Sequence, residues 1–321
     1  MLFFAALFTL VPLSVCAAAL SKRSINGPVI TANFPDPAIL TVDGTYYVFS
    51  TTGAGKHVPV QTSTDFVNWT PLPDALPTVG NWSTGHNVWA PDVIQLGTNS
   101  FLMYYSAEAN SNPVKHCVSA ATSSSPAGPY TPIADVLACP ISAGGAIDPA
   151  AFLDTDGSLY LAWKVDGNSI GHGGNCGNSV APIVPTPIII QKMTSNGTAF
   201  AAGSSATQIL DRSDADGPLV EAPSLVEKDG TYFLFFSSNC YSGSLYDVSY
   251  ATASSVLGPY TKSATPLLKT GSPYAQLFSP GGLDISRDGT RAVFHADFNK
   301  TAHVRQMYTA AVNISDKTVT I

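Results

Sequence analysis

Three acids, Asp36, Asp148 and Glu221, stand within two residues of a proline at the start of an apolar stretch, in "FPDPAI", "IDPAAF" and "VEAPSL". Proline has no N–H to give a β-ladder, so each motif marks the beginning of a strand. Only 12% of the residues are charged, so acids at three such strand starts ask for a common purpose. Gathered in a partly dry cavity they could not all ionise, since each charge raises its neighbours' proton affinity and burial raises it further. One would stay protonated near neutral pH while another stayed ionised. Hydrolysis of a glycosidic bond needs that pairing: one carboxyl protonates the leaving oxygen, and the other activates water or attacks the sugar. The competing uses are a turn or capping role for each Asp-Pro singly, or a calcium cage of clustered oxygens. Trp89, in "VWAPDV", either offers a sugar ring an aromatic face or packs in the core.

The elements that must gather these acids are visible as repeats. "VSAATSSSPAGPYT" at 118–131 and "VSYATASSVLGPYT" at 248–261 agree at ten of fourteen positions, a self-similarity that points to a repeat architecture. A second series, "DGTYYVFS" from Asp43, "GTNSFLMYYS" from Gly97, "DGSLYLAWK" from Asp156, "DGTYFLFFS" from Asp229 and "DGTRAVFHA" from Asp288, counts five units. In each, an apolar strand enters a tight turn and returns as an alternating or aromatic strand, the mark of a β-hairpin. The expected fold is all-β, a five-bladed β-propeller forming one domain over 24–321, whose innermost strands line a central channel. Counting eight positions back from the turn reaches Trp89, Asp148 and Glu221, counting seven reaches Asp36, and the fifth unit has Pro280-Gly281 there. Equivalent positions on five blades converge on one funnel, which places the three acids together.

The motifs "NFPDPAI" with "DGTYYVFST", "NVWAPDV", "AIDPAAFLDTDG" and "VEAPSLVEKDGTYFLFFSS" occur in that order, and through them the chain resembles glycoside hydrolase family 43 over residues 33 to about 312. The resemblance implies a propeller acting with inversion on arabinose- and xylose-containing plant polysaccharides. Carried over motif by motif, it makes Asp36 the general base, Glu221 the general acid and Asp148 the residue that modulates the acid's pKa and orientation. It also implies Phe34 and Trp89 as walls of the sugar pocket and Arg305, in "HVRQMYTAAV", as a donor to sugar hydroxyls. The expected activity is cleavage of α-L-arabinofuranosyl linkages in arabinan or arabinose-substituted hemicellulose. Endo-1,5-α-L-arabinanase and β-xylosidase are the alternatives on the same fold, and a non-catalytic sugar-binding propeller is a remoter one. Blade five departs from the family, where a Gly-His often opens the blade; here the stretch reads "FSPGGLDISRDGTRAVFHAD". His295 is then the candidate for an axial calcium ion, against a purely structural histidine. The chemistry itself needs no cofactor.

With 321 residues, 45% of them hydrophobic, the chain can bury a sizeable core, while 26 Gly and 24 Pro leave little room for long helices. Residues 1–19 of "MLFFAALFTLVPLSVCAAAL" read as a secretory signal peptide without a basic leader, and Lys22-Arg23 either marks a second processing point or is a solvated pair. The net charge is −7, or −9 without those two cations, which disfavours nucleic acid and anionic membranes as partners. A neutral small molecule or polysaccharide suits it better; the resemblance makes that a plant cell-wall polysaccharide, acted on by a secreted monomer. Four cysteines remain after the signal, and shorter loops favour Cys117 with Cys139 and Cys176 with Cys240. Sequons at Asn68, Asn81, Asn196, Asn299 and Asn313 are expected in solvent-facing loops of a glycoprotein. The Gly- and Asn-rich stretch 165–185 reads as a long loop at the funnel mouth, with His172, Asn239 and Tyr241 expected near the substrate subsites.

Overall fold

The computed structural model describes residues 25–271, 273–298 and 303–321; the expected signal peptide, Lys22-Arg23 and the Asn299 sequon lie outside them. Five antiparallel sheets follow one another along the chain. Their innermost strands are Ala38–Val42, Trp89–Gly97, Ala146–Leu153, Val220–Lys228 and Gly281–Ile285. Blades one to four run outward in chain order. Blade five is closed differently: Ile25–Ile30 pairs antiparallel with Arg305–Ala311 as its outermost strand. The two ends of the chain therefore complete one blade and close the ring.

The core lies between blades, and strand periodicity explains it. In the second strand of blade four, Thr231–Ser238, Phe233 and Phe235 pack toward blade five while Leu234 and Phe236 pack toward blade three. Ser100–Ala109 of blade two does the same, with Met103 and Tyr105 facing blade one and Leu102 and Tyr104 facing blade three. A strand covered on both faces has no polar side, which is why "YFLFF" and "FLMYY" are continuous apolar runs. Five apolar clusters occupy the five interfaces between neighbouring blades.

Every blade turns its inner strand at the same point. Asp36, Ala90, Asp148, Ala222 and Gly282 all have positive φ, between 43° and 56°, and the first four are each followed by proline. In blades two to five the pairing with the next strand slips across this residue and its successor. These are bulges, which bend the strand and re-aim its side chains. They also correct the register read from the turns: Asp148 is equivalent to Asp36 and Ala222, whereas Glu221 and Trp89 stand one residue earlier. Counting back from the turns fails because the hairpins differ in length, and the bulge, not the turn, sets what faces the axis. Toward the turns, the inner strands enclose an axial cavity of about 420 Å³ lined in part by the half-buried Asp92 and Asp284. Disulfides join Cys117 to Cys139 and Cys176 to Cys240, with Cα separations of 4.6 and 5.5 Å. The sequon residues Asn68, Asn81, Asn196 and Asn313 are exposed.

Candidate active site

On the side of the bulges away from the hairpin turns, the three acids meet. Asp36 has a defined set of partners: the Thr51 hydroxyl donates to Oδ2 at 2.6 Å, and Arg305 Nη1 donates to Oδ1 at 3.1 Å. Burial by itself would raise this carboxyl, but the Arg305 guanidinium and the Thr51 hydrogen bond outweigh it and hold Asp36 below the ordinary range. Asp36 is therefore an anion ready to accept a proton. Its backbone N–H donates to His295 Nδ1 at 3.0 Å. Burial, and next Arg305, push that imidazole down to about 3, so the 3.6 Å approach of Nδ1 to Asp36 Oδ1 joins a neutral ring to a carboxylate.

Asp148 is placed by blade four, whose Ala222 N–H donates to its Oδ2 at 3.0 Å. Burial first, and the charge of Glu221 second, push Asp148 up to about 8; Lys164 opposes them. Glu221 itself is held at both oxygens. Lys164 Nζ donates to Oε2 at 2.9 Å, and the Tyr246 hydroxyl donates to Oε1 at 2.8 Å. The phenol keeps its proton because burial and the neighbouring Glu221 charge raise it well above its usual range. One acid protonated, one ionised by a guanidinium, and a third gripped by a lysine and a tyrosine form an array suited to acid/base work.

The glycine pair of blade five explains its departure from the family motif. A Cβ on Gly281 would stand 1.8 Å from Tyr246 Cε1, and one on Gly282 would stand 2.7 Å from His295 Cε1. The two glycines clear the ground for the tyrosine that reaches Glu221 and for the histidine that caps the Asp36 backbone. His295 thus enters from the neighbouring strand Arg291–Asp297. The structure gives no support to a calcium ion held by His295. With Nδ1 accepting from Asp36, the neutral ring carries its proton on Nε2 and has no lone pair free. Among the described residues no group of three His, Cys, Asp or Glu side chains is gathered as a metal would require.

The expected wall residues fall in different places. Arg305 joins the site through Asp36, and Tyr241 lies against it, with the guanidinium carbon 5.1 Å from the ring centre. Trp89 is partly buried, one face stacked on His116 at 3.8 Å between ring centres. Phe34 is only 2% exposed and belongs to the apolar cluster between blades five and one. Asn239 has φ 68°, and its side chain lies against Gly217. His172 is exposed and turns Nδ1 to the Pro182 carbonyl of its own loop at 2.7 Å. Thr51, Lys164 and Tyr246 were missed. Only Lys164 carried a signal, as the lone charge in the apolar strand Leu159–Val165.

A closed propeller whose axial mouth holds an ionised acid opposite a protonated one defines the class of glycoside-cleaving propeller enzymes. The model of glycosyl hydrolases family 43 matches residues 25–315, and the chain belongs to that family. It is 27% identical to the extracellular endo-α-(1→5)-L-arabinanase 1 of Bacillus subtilis, over 81% of this chain and 79% of that one. It is 28% identical to the extracellular exo-α-(1→5)-L-arabinofuranosidase of Cellvibrio japonicus, over 70% of this chain and 65% of that one. A crystal structure titled endo-1,4-β-xylanase, from Bacteroides thetaiotaomicron, superposes with a TM-score of 0.72 at 26% identity, covering 94% and 96% of the two chains. The protein is a glycoside hydrolase.

Proposed function

We propose that this enzyme cleaves α-L-arabinofuranosyl linkages, in arabinan or as arabinose side chains of hemicellulose, with inversion in a single displacement. Asp36, kept ionised by Arg305 and Thr51, takes a proton from the attacking water. Glu221 protonates the leaving oxygen, and Asp148 shares with Glu221 the proton that this step consumes. As the sugar departs, the water oxygen bonds to the anomeric carbon, so Asp36 gains a proton while Glu221 loses one. The observation that carries the reading is the unequal treatment of the acids: a guanidinium on Asp36, and burial beside a second carboxylate for Asp148. A sugar-binding protein without activity has no need of that asymmetry.

Arabinan and its furanosyl links are favoured because the arabinanase and arabinofuranosidase relatives are named for them. Their extracellular naming also supports a secreted enzyme. Attack from chain ends is supported by the loop 165–185, tied by the Cys176–Cys240 disulfide beside Tyr241, because loops at the mouth narrow a cleft into a pocket. Endo-attack is the second reading, favoured by the endo-arabinanase likeness. The test is product analysis on linear 1,5-arabinan, arabinoxylan and xylo-oligosaccharides, with proton NMR of the first anomer released. Free arabinose of inverted configuration, lost in Glu221→Ala and Asp36→Ala, is the expected result; mixed oligomers mean endo-attack, and a retained anomer rejects the inverting mechanism.

A further inference from the structure

Lys164 belongs to neither half of this proton traffic, yet it occupies the centre of the acid side. It is fully buried at the end of Leu159–Val165 in blade three, and its Nζ crosses to blade four to meet Glu221. Its other neighbour is Asp166, whose Oδ1 lies 3.2 Å from Nζ but accepts no hydrogen bond. The tie to Asp166 is therefore one of charge, while the hydrogen bond is given to Glu221. We propose that Lys164, clamped between Asp166 and Glu221, is a positioning residue that sets the pH at which the Asp148–Glu221 pair gives up its proton, and with it the alkaline edge of activity.

The charges around it support this assignment. Burial would strip a lysine of its proton, but Glu221, Asp166 and Asp148 more than offset it and raise Lys164 above its usual range. A permanent cation thus stands at hydrogen-bond distance from one member of the acid pair, and favours the state in which the pair has lost its proton. Other ionisable groups bear on the pair as well. Tyr246 donates to Glu221 but stays neutral, Arg305 reaches Glu221 by charge while pairing with Asp36, and Asp36 itself opposes ionisation of Asp148. On the other flank, His116 interacts by charge with Asp166, and burial first of all pushes that histidine down. Asp166 is the brake in this arrangement: its negative charge partly satisfies Lys164 and so weakens the pull on Glu221.

The inference rests on Glu221 being the general acid, and its test can fail separately from that reading. The pH dependence of kcat/KM on linear arabinan is measured for the wild type, Lys164→Met, Lys164→Arg and Asp166→Asn. Loss of the cation moves the alkaline edge up by about 1–3 pH units, removal of the brake moves it down, and arginine restores it. A merely structural lysine would lower the rate at all pH values and leave the edge where it was. The same titration is read without activity from the melting temperature against pH, taken as each variant minus wild type. A pair whose folded proton affinity is raised stabilises the fold most below about pH 4 and loses that stability as pH rises toward about 8. Lys164→Met extends the loss to higher pH, and Asp166→Asn ends it earlier. Coincident difference curves for both variants, with an unmoved activity edge, overturn the inference. An inactive wild type overturns the proposed function instead, while the melting curves still decide the role of Lys164.

Discussion

At the scale of single residues, the chemistry depends on how differently two aspartates at equivalent positive-φ positions are treated. Asp36 meets a cation and a hydroxyl; Asp148 meets a backbone N–H and another acid. Replacement of Asp36 by Asn should cut kcat about 10²–10⁴-fold, the usual loss for a general base, with melting temperature nearly unchanged; a smaller loss would remove Asp36 from that role. Arg305→Ala makes a subtler prediction. Burial, no longer opposed by the guanidinium, then raises the Asp36 carboxyl, so the acidic limb of kcat/KM should move to higher pH. An unmoved limb would show that Arg305 serves only to hold substrate. Asp36, Asp148 and Glu221 were legible from motif and spacing, and Arg305 only through the resemblance to the family. The bonds that Asp36 makes with Thr51 and His295 were not legible, because they link residues 15 and 259 positions apart.

At the scale of elements, the bulge matters more than the hairpin. Hairpins were readable because Asp-Gly turns and apolar runs are local signals. The bulge was hidden in part, since a proline shows that a ladder donor is missing but not which neighbour faces the axis. Glu221 looked equivalent to Asp148 and stands one residue before the equivalent place, where Lys164 and Tyr246 can grip it. Tyr246 in turn needs the empty space at Gly281. Gly281→Ala should therefore displace the phenol, because a Cβ there would meet the ring at 1.8 Å, and should lower kcat by an amount approaching that of Tyr246→Phe. Measured together, the double variant should lose little more than either single one; additive losses would sever the link between the glycine and the tyrosine. The long loop bears a separate prediction. Cys176 and Cys240 close 64 residues of chain, and their replacement by serine should cost about 2–4 kcal/mol in denaturant unfolding.

At the scale of the molecule, five similar blades are held as a ring only if the first and last segments meet. Ile25–Ile30 does this by adding to Arg305–Ala311, with Ile25 opposite Ala310 and Ile30 opposite Met307. Ile30 lies in the cluster between blades five and one, and Ile25 packs against the one between blades four and five. The strand it covers begins with Arg305, so the clasp also steadies the cation that keeps Asp36 ionised. A chain lacking residues 25–30 loses the burial of two isoleucines, about 3–6 kcal/mol, and exposes an unpaired edge next to the site. That is a large share of the stability of an ordinary domain, and it should lower the melting temperature by about 10 °C or more. Turnover should fall further than the folded fraction does, because the remaining folded molecules have lost the partner of the Arg305 strand. Comparing melting curves with activity per folded molecule separates the two effects. If activity per folded molecule is unchanged, the closing strand supports the ring but not the site.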